Sequence, residues 1–168
     1  MNYHNITCPD MNNGDGLRVV LWLSGCSHYC KGCQNPQTWN EQSGIAFDIE
    51  AQQELMDKLG FDYISGVTFS GGDPLYVRNR TELLKLCRII RCTFGGSKTI
   101  WLYTGYTYEE IIKNRAMYEI FELCDVVIDG EYKEELRDVG LHWRGSSNQR
   151  VIDVQATLKD GKVVLYTE

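Results

Sequence analysis

Long hydrophobic runs are missing from this sequence. Nothing in its 168 residues approaches the ~20 consecutive apolar residues that cross a bilayer, so no membrane span is expected. The opening segment, MNYHNITCPD, has no basic stretch followed by an apolar one, so it does not read as a secretory leader and the chain is expected to be cytoplasmic. Positive charge is in short supply: 17 Lys and Arg stand against 23 Asp and Glu, a net −6. The nearest approach to a basic patch is Arg78, Arg80, Lys85, Arg88 and Arg91. Apolar residues at helical spacing break it up, so nucleic acid is not an expected partner. Internal repeats, low-complexity tracts and linkers rich in Pro, Gly or Ser are absent. With 43% hydrophobic and 24% charged residues, the chain fits one soluble domain, 1–168, with a core of its own.

Cysteine is the residue in excess. There are seven, an odd number, and in a reducing compartment clustered cysteines point to metal binding or catalysis rather than to disulfides. Cys26, Cys30 and Cys33 lie in SGCSHYCKGCQN with the spacing C-x3-C-x2-C. No fourth cysteine follows closely and no second C-x2-C pair exists. Structural zinc takes four ligands, and His28 sits inside the loop where wrapping back onto the same ion is strained. A [4Fe–4S] cluster has four irons, and three thiolates leave one of them open to a small molecule. Cys87 and Cys92 are expected to be buried on a helix face, and Cys124 opens an apolar run and reads the same way. Cys8 has no assignment.

Four segments rich in β-branched and aromatic residues, 18–25, 66–72, 99–105 and 125–130, predict strands. They read as apolar on both faces, the pattern of strands covered by helices on one or both sides. Helical patterns lie between them. The first has Asp48 as N-cap, Ile49, Leu55, Met56 and Leu59 on one face, and Gly60 as a stop. The second has Thr81 as cap candidate and a stripe of Leu83, Leu84, Leu86, Cys87, Ile90 and Phe94. The third has Thr107 as cap with Glu110 completing a capping box. Alternating strands and helices imply an α/β fold with a mostly parallel sheet. The tail, 151–167, reads as a C-terminal β-hairpin turning at Asp160 and Gly161.

Each central strand ends in a small polar residue followed by glycine: Ser24-Gly25, Ser70-Gly71-Gly72, Thr104-Gly105 and Asp129-Gly130. In parallel α/β folds ligands bind at the carboxyl ends of strands, and glycine there admits a ligand close to the backbone. The cysteine stretch begins at the end of the first such strand and is expected to open onto the same face.

These residues carry a resemblance. C-x3-C-x2-C after a first strand resembles the cluster loop of the radical S-adenosylmethionine superfamily, in which the open iron is chelated by the amino and carboxylate groups of S-adenosylmethionine. SGGDP, at 70–74, resembles the superfamily's Gly-Gly-Glu-Pro motif, whose backbone meets the methionine amino group; Asp73 stands in place of Glu. The segments GDGLRVVLWLSGCSHYCKGCQNPQTWN, SGGDPL, WLYTGY, DVVIDGEY and WRGSSNQRVID extend from Gly14 to Asp153. Together they resemble the glycyl-radical activases of anaerobic ribonucleoside-triphosphate reductases. RGSSNQR, 144–150, is the most discriminating of them, although by its own chemistry it is only a polar loop before a strand.

The resemblance implies a partial (β/α) barrel of the radical S-adenosylmethionine type. It also implies a [4Fe–4S] cluster on Cys26, Cys30 and Cys33, the catalytic centre and its metal ligands. Gly32, Cys33 and Gln34 would flank the bound S-adenosylmethionine, and Gly71, Gly72 and Asp73 would receive its amino group. Thr104 and Asp129 are candidates for ribose or carboxylate contacts, with Asp129 equally able to cap a turn. Reduced flavodoxin or a similar donor would supply the electron. The 5′-deoxyadenosyl radical would then take a hydrogen from a glycine Cα of the reductase large subunit, against which His142, Trp143 and Arg144 are contact candidates. Two positions depart from the pattern: Gly32 and Gln34 stand where relatives carry an aromatic residue, so either the Gln34 amide would hydrogen-bond the adenine or Tyr29 or Trp39 would supply the stacking surface. Two other readings are a radical S-adenosylmethionine enzyme acting on another glycyl-radical partner or on a small substrate, and a non-catalytic metal or electron-transfer module.

Overall fold

Four short segments rich in β-branched and aromatic residues form the centre of the structure, a computed structural model in which residues 1–167 are described. They are β2 (Arg18–Leu23), β4 (Gly66–Gly71), β5 (Thr99–Tyr103) and β6 (Val126–Asp129), neighbours in that order and all parallel. The edges are antiparallel. On one side lie β1 (Asn2–Asp10) and the short β3 (Ile45–Ala46), and on the other β7 (Arg150–Asp153). The fold is thus a mixed α/β architecture on one seven-stranded sheet, ordered β3-β1-β2-β4-β5-β6-β7. The N-terminal strand β1 lacks a strand-like sequence pattern and owes its form to pairing with β2.

Helices connect the parallel strands. α1 (Ile49–Leu59) begins where the sequence predicts, with the Asp48 side chain accepting the Ala51 N–H at 2.9 Å. Ile49 is exposed rather than buried, because it precedes the stripe of Ala51, Leu55 and Leu59 that faces the core. α2 (Arg80–Phe94) buries Leu83, Leu86, Cys87 and Ile90. Cys92 is exposed, contrary to expectation: five helical residues place it about 140° around the axis from Cys87. The N-cap position of α2 belongs to Asn79, not Thr81. The Asn79 amide donates to Ser24 O at 2.9 Å and Asp73 O at 3.2 Å, tying the helix start to two strand-end loops.

The third expected helix divides in two. α3 (Tyr108–Ile111) carries the capping box, Glu110 accepting the Thr107 N–H at 2.8 Å. α4 (Arg115–Phe121) starts afresh at Asn114, whose backbone leaves the helical region and whose side chain accepts the Met117 N–H at 3.3 Å. The C-terminal hairpin is also corrected. Residues Val154–Asp160 form a helix, α5, capped by Asp153 accepting the Ala156 N–H at 2.9 Å. Val154 and Thr157 share its buried side, and Gly161, at φ 68°, ends the helix instead of turning a hairpin. The chain returns only as an isolated antiparallel bridge, Leu165 to Ile152.

The two faces of the sheet differ. Val19, Leu21, Leu23, Val67, Phe69, Ile100, Leu102 and Val127 point to one face, where side chains of all five helices complete the main core. The alternate residues point the other way. There Trp101, Val126 and Ile128 form a small cluster with Tyr103, Trp143, Val151 and Tyr166, to which no helix contributes. Arg18 lies fully buried on this second face. It donates to Thr68 Oγ1 at 2.6 Å, Val67 O at 2.7 Å, Thr99 Oγ1 at 3.0 Å and Asp15 O at 3.0 Å, with its guanidinium 5.1 Å from the Trp101 ring centre. Burial lowers its pKa to about 10.

Candidate metal centre

The carboxyl ends of β2, β4, β5 and β6 meet at one cavity of about 530 Å³. Cys26, Cys30 and Cys33 line it from the loop after β2, with Gln34 and Trp39; Ser70, Gly71, Gly72 and Asp73 line it from β4. Thr104, Gly105 and Gly130 contribute from the ends of β5 and β6. The strand ends that share a small polar residue and a glycine are therefore brought together. Glycine is required at Gly71: its φ is 102°, and a Cβ there would sit 2.6 Å from Leu23 O. At Gly105 a Cβ would sit 2.5 Å from the His28 ring.

Backbone contacts fix the cysteine loop at its base. Cys26 N–H donates to Trp39 O at 3.0 Å, and Gly25 O accepts the Asp73 N–H at 2.7 Å. The Asn35 N–H donates to the Cys33 sulfur at 3.3 Å, while the backbone N–H groups of His28 and Tyr29 pull the Cys26 pKa down and that of Tyr132 pulls the Cys30 pKa down. Burial pushes the Cys26 thiol up to about 11, and the two N–H groups recover only part of that shift. Burial also raises Cys30. Thiols in such surroundings become thiolates against a bound cation, not on their own. Cys87 and Cys124 are buried in the core and far from this chemistry. Among the described residues, no three His, Cys, Asp or Glu side chains form a group that could hold a single metal ion.

His28 is engaged on both nitrogens, Nε2 with Asp73 Oδ2 at 2.8 Å and Nδ1 with Glu131 Oε1 at 2.9 Å. Burial pulls its pKa down, but the two carboxylates outweigh burial and raise it to about 9. His28 therefore has no nitrogen left for a metal. Asp73 is saturated as well. Besides His28, its carboxylate accepts from Thr104 Oγ1 at 2.9 Å, Leu75 N–H at 2.8 Å and Gly105 N–H at 3.0 Å. Its side chain is a hub between three loops, and Thr104 lends its hydroxyl to that hub.

Asp129 takes the capping alternative. It accepts the Tyr108 N–H at 2.8 Å and pairs with Arg150, Nε to Oδ1 at 3.0 Å, and it does not line the cavity. Gly32 also lies off the cavity wall, with the Glu134 side chain 2.9 Å from where its Cβ would be. Trp39 lines the cavity, whereas Tyr29 is exposed and meets the Trp39 ring edge-on at 5.2 Å. Trp143 and Arg144 line the cavity, and Trp143 also stacks edge-on against Trp101 in the second-face cluster. Sequence reasoning missed Asn12, Asn13, Tyr103, Tyr132 and Gln149 on the cavity wall. Signals were available for Tyr103, beside the Thr104-Gly105 strand end, for Tyr132, two residues after Gly130, and for Gln149, inside RGSSNQR.

Residues 12–152 match the family model described as a 4Fe-4S single cluster domain. Over 151 residues the chain is 44% identical to the anaerobic ribonucleoside-triphosphate reductase-activating protein of Enterobacteria phage T4, covering 90% of this chain and 93% of the phage protein. The protein of the same name from Escherichia coli (strain K12) is 41% identical over 90% of this chain and 97% of its own length. That of Vibrio cholerae is 39% identical over 89% and 96%. The chain belongs to this family. The matched residues take in the cysteine loop, SGGDP and RGSSNQR, and stop just short of α5.

Proposed function

We propose that this protein activates an anaerobic ribonucleoside-triphosphate reductase, with a [4Fe–4S] cluster on Cys26, Cys30 and Cys33 and S-adenosylmethionine beside Gly71 and Gly72. The observation that carries the reading is the sharing of one cavity by the three thiols and the glycine end of β4. The donor set fits such a cluster. Three thiols are offered and no fourth: His28, the nearest alternative, is held by two carboxylates. That argues against a closed four-ligand zinc site and for an iron left open to a small molecule.

Cys26, Cys30 and Cys33 would hold the cluster, which would supply the electron for reductive cleavage of S-adenosylmethionine and so the means of removing a hydrogen from a glycine of the reductase. The chain's own residues orient and shield. Gly71 and Gly72 present backbone without side chains to the methionine amino group, and Asp73 holds their loop to Thr104, Gly105 and His28 rather than meeting the ligand. Trp39 and Gln34 line the wall on which the adenine is expected to rest. The cavity at the strand ends, walled on one side by Trp143 and Arg144, is the proposed entry for the reductase peptide. Reduced flavodoxin or a donor like it is the proposed reductant.

The test is anaerobic reconstitution with iron and sulfide, reduction, and assay for 5′-deoxyadenosine and methionine. Both products are expected in equal amounts. Near-stoichiometric zinc with no iron, or an iron-loaded protein that cleaves no S-adenosylmethionine, would overturn the reading in favour of a metal or electron-transfer module.

A further inference from the structure

RGSSNQR is the conspicuous motif that the chemistry above leaves unused. A polar turn satisfies its groups locally; this one sends three of its side chains back to a segment 13, 17 and 19 residues upstream. Gln149 is buried. Its carbonyl oxygen accepts the Gly145 N–H at 3.0 Å and the Ser146 N–H at 3.2 Å, and its amide nitrogen donates to Gly130 O at 3.0 Å. Asn148 Nδ2 donates to Glu131 O at 2.8 Å, and Ser146 Oγ accepts the Lys133 N–H at 3.1 Å. The backbone of Gly130, Glu131 and Lys133 is thus held at three points just after β6.

That segment touches the cysteine loop through Glu131, which holds His28 Nδ1 at 2.9 Å, and Tyr132 lines the same cavity as Cys30. We infer that Ser146, Asn148 and Gln149 are positioning residues for the metal centre, fixing residues 130–133 so that Glu131, through His28, and Tyr132, on the cavity wall, hold the loop carrying Cys30. The inference rests on the proposed function, because the property it controls belongs to a cluster bound through Cys30. A cluster's reduction potential follows the hydrogen bonds to its sulfurs and its exposure to solvent, both set by the loop and wall around it. Loosening the segment changes both and so shifts the potential. A loop that only supported β7 would change stability and leave the potential alone.

The experiment uses the full chain, reconstituted anaerobically, with iron content, melting temperature, and a redox titration followed by EPR. Gln149→Ala, Asn148→Ala and Ser146→Ala are expected to load iron as the wild type does. Their potentials are expected to shift, with an altered EPR line shape, most for Gln149→Ala. Gln149→Glu, which cannot donate to Gly130 O, is expected to follow Gln149→Ala. Wild-type potential and line shape in all of them, with only the melting temperature changed, would overturn the inference. If Gln149→Ala fails to fold, Asn148→Ala carries the test at a half-exposed position, and a wild-type potential there is equally fatal. A wild-type protein with no iron–sulfur signal would instead overturn the proposed function and the inference with it.

Discussion

The two faces of the sheet are made by the same strands and held by different forces. On the helix-covered face, Val19, Leu21, Val67, Phe69, Ile100 and Leu102 are fully or almost fully buried, and removal of apolar area from water is the main stabilising term. On the other face, Arg18, Thr68, Ser70, Trp101 and Tyr103 stand beside Val126 and Ile128, and hydrogen bonds and edge-to-face rings add to the apolar packing. The difference separates stability from function. The apolar face fixes where the strands end, and the strand ends carry the polar groups and glycines that line the cavity.

The largest effect that would test this division is loss of activity without loss of fold. Replacing Cys26, Cys30 or Cys33 by Ala is expected to abolish S-adenosylmethionine cleavage. The melting temperature of the metal-free chain should shift by no more than about 4 °C, the effect of ~1 kcal/mol or less in a domain of this size. Retained cleavage in any of the three would break the comparison on its functional side. The converse is Phe69→Ala, a fully buried side chain on the helix-covered face. Its loss is expected to cost about 3–5 kcal/mol in urea unfolding.

Arg18→Met examines the second face itself. It would remove a buried guanidinium from the acceptors of Thr68, Val67 and Thr99. The expected destabilisation is about 2–4 kcal/mol, since hydrogen bonds to a charged group are among the stronger ones and their buried acceptors would be left unpaired. A change below about 0.5 kcal/mol, typical of an exposed position, would show that this network contributes nothing. The smallest effect is expected at Gln34, on the cavity wall. Gln34→Tyr should leave stability unchanged and bind S-adenosylmethionine at least as well as the wild type, measured by equilibrium dialysis of the reconstituted protein. Markedly weaker binding would mean that the adenine lies elsewhere.

The cysteine loop was legible because its signal is local: three thiols in eight positions, at the end of an apolar strand. The parallel centre of the sheet was legible for the same reason. β1 was not, because its form comes from pairing on both sides with β2 and β3. α5 was misread because β-branched residues flank it and Gly161 suits a hairpin turn as well as a helix end. Asn114 gave a capping signal that the longer apolar periodicity around it concealed. The partners of His28 were beyond reach, since Asp73 and Glu131 stand 45 and 103 residues away and only the fold brings them together. RGSSNQR stood out by resemblance alone; its hydrogen bonds to 130–133 give it a physical role in place of a mere likeness.

The most direct measurement mixes the reconstituted, reduced protein with an anaerobic ribonucleoside-triphosphate reductase and S-adenosylmethionine, and records the EPR spectrum of the reductase. A glycyl-radical signal that requires all three components, and that disappears with Cys30→Ala, is the expected result. Formation of 5′-deoxyadenosine with no radical on the reductase would contradict the account, and would leave a cleaving enzyme whose partner is a different molecule.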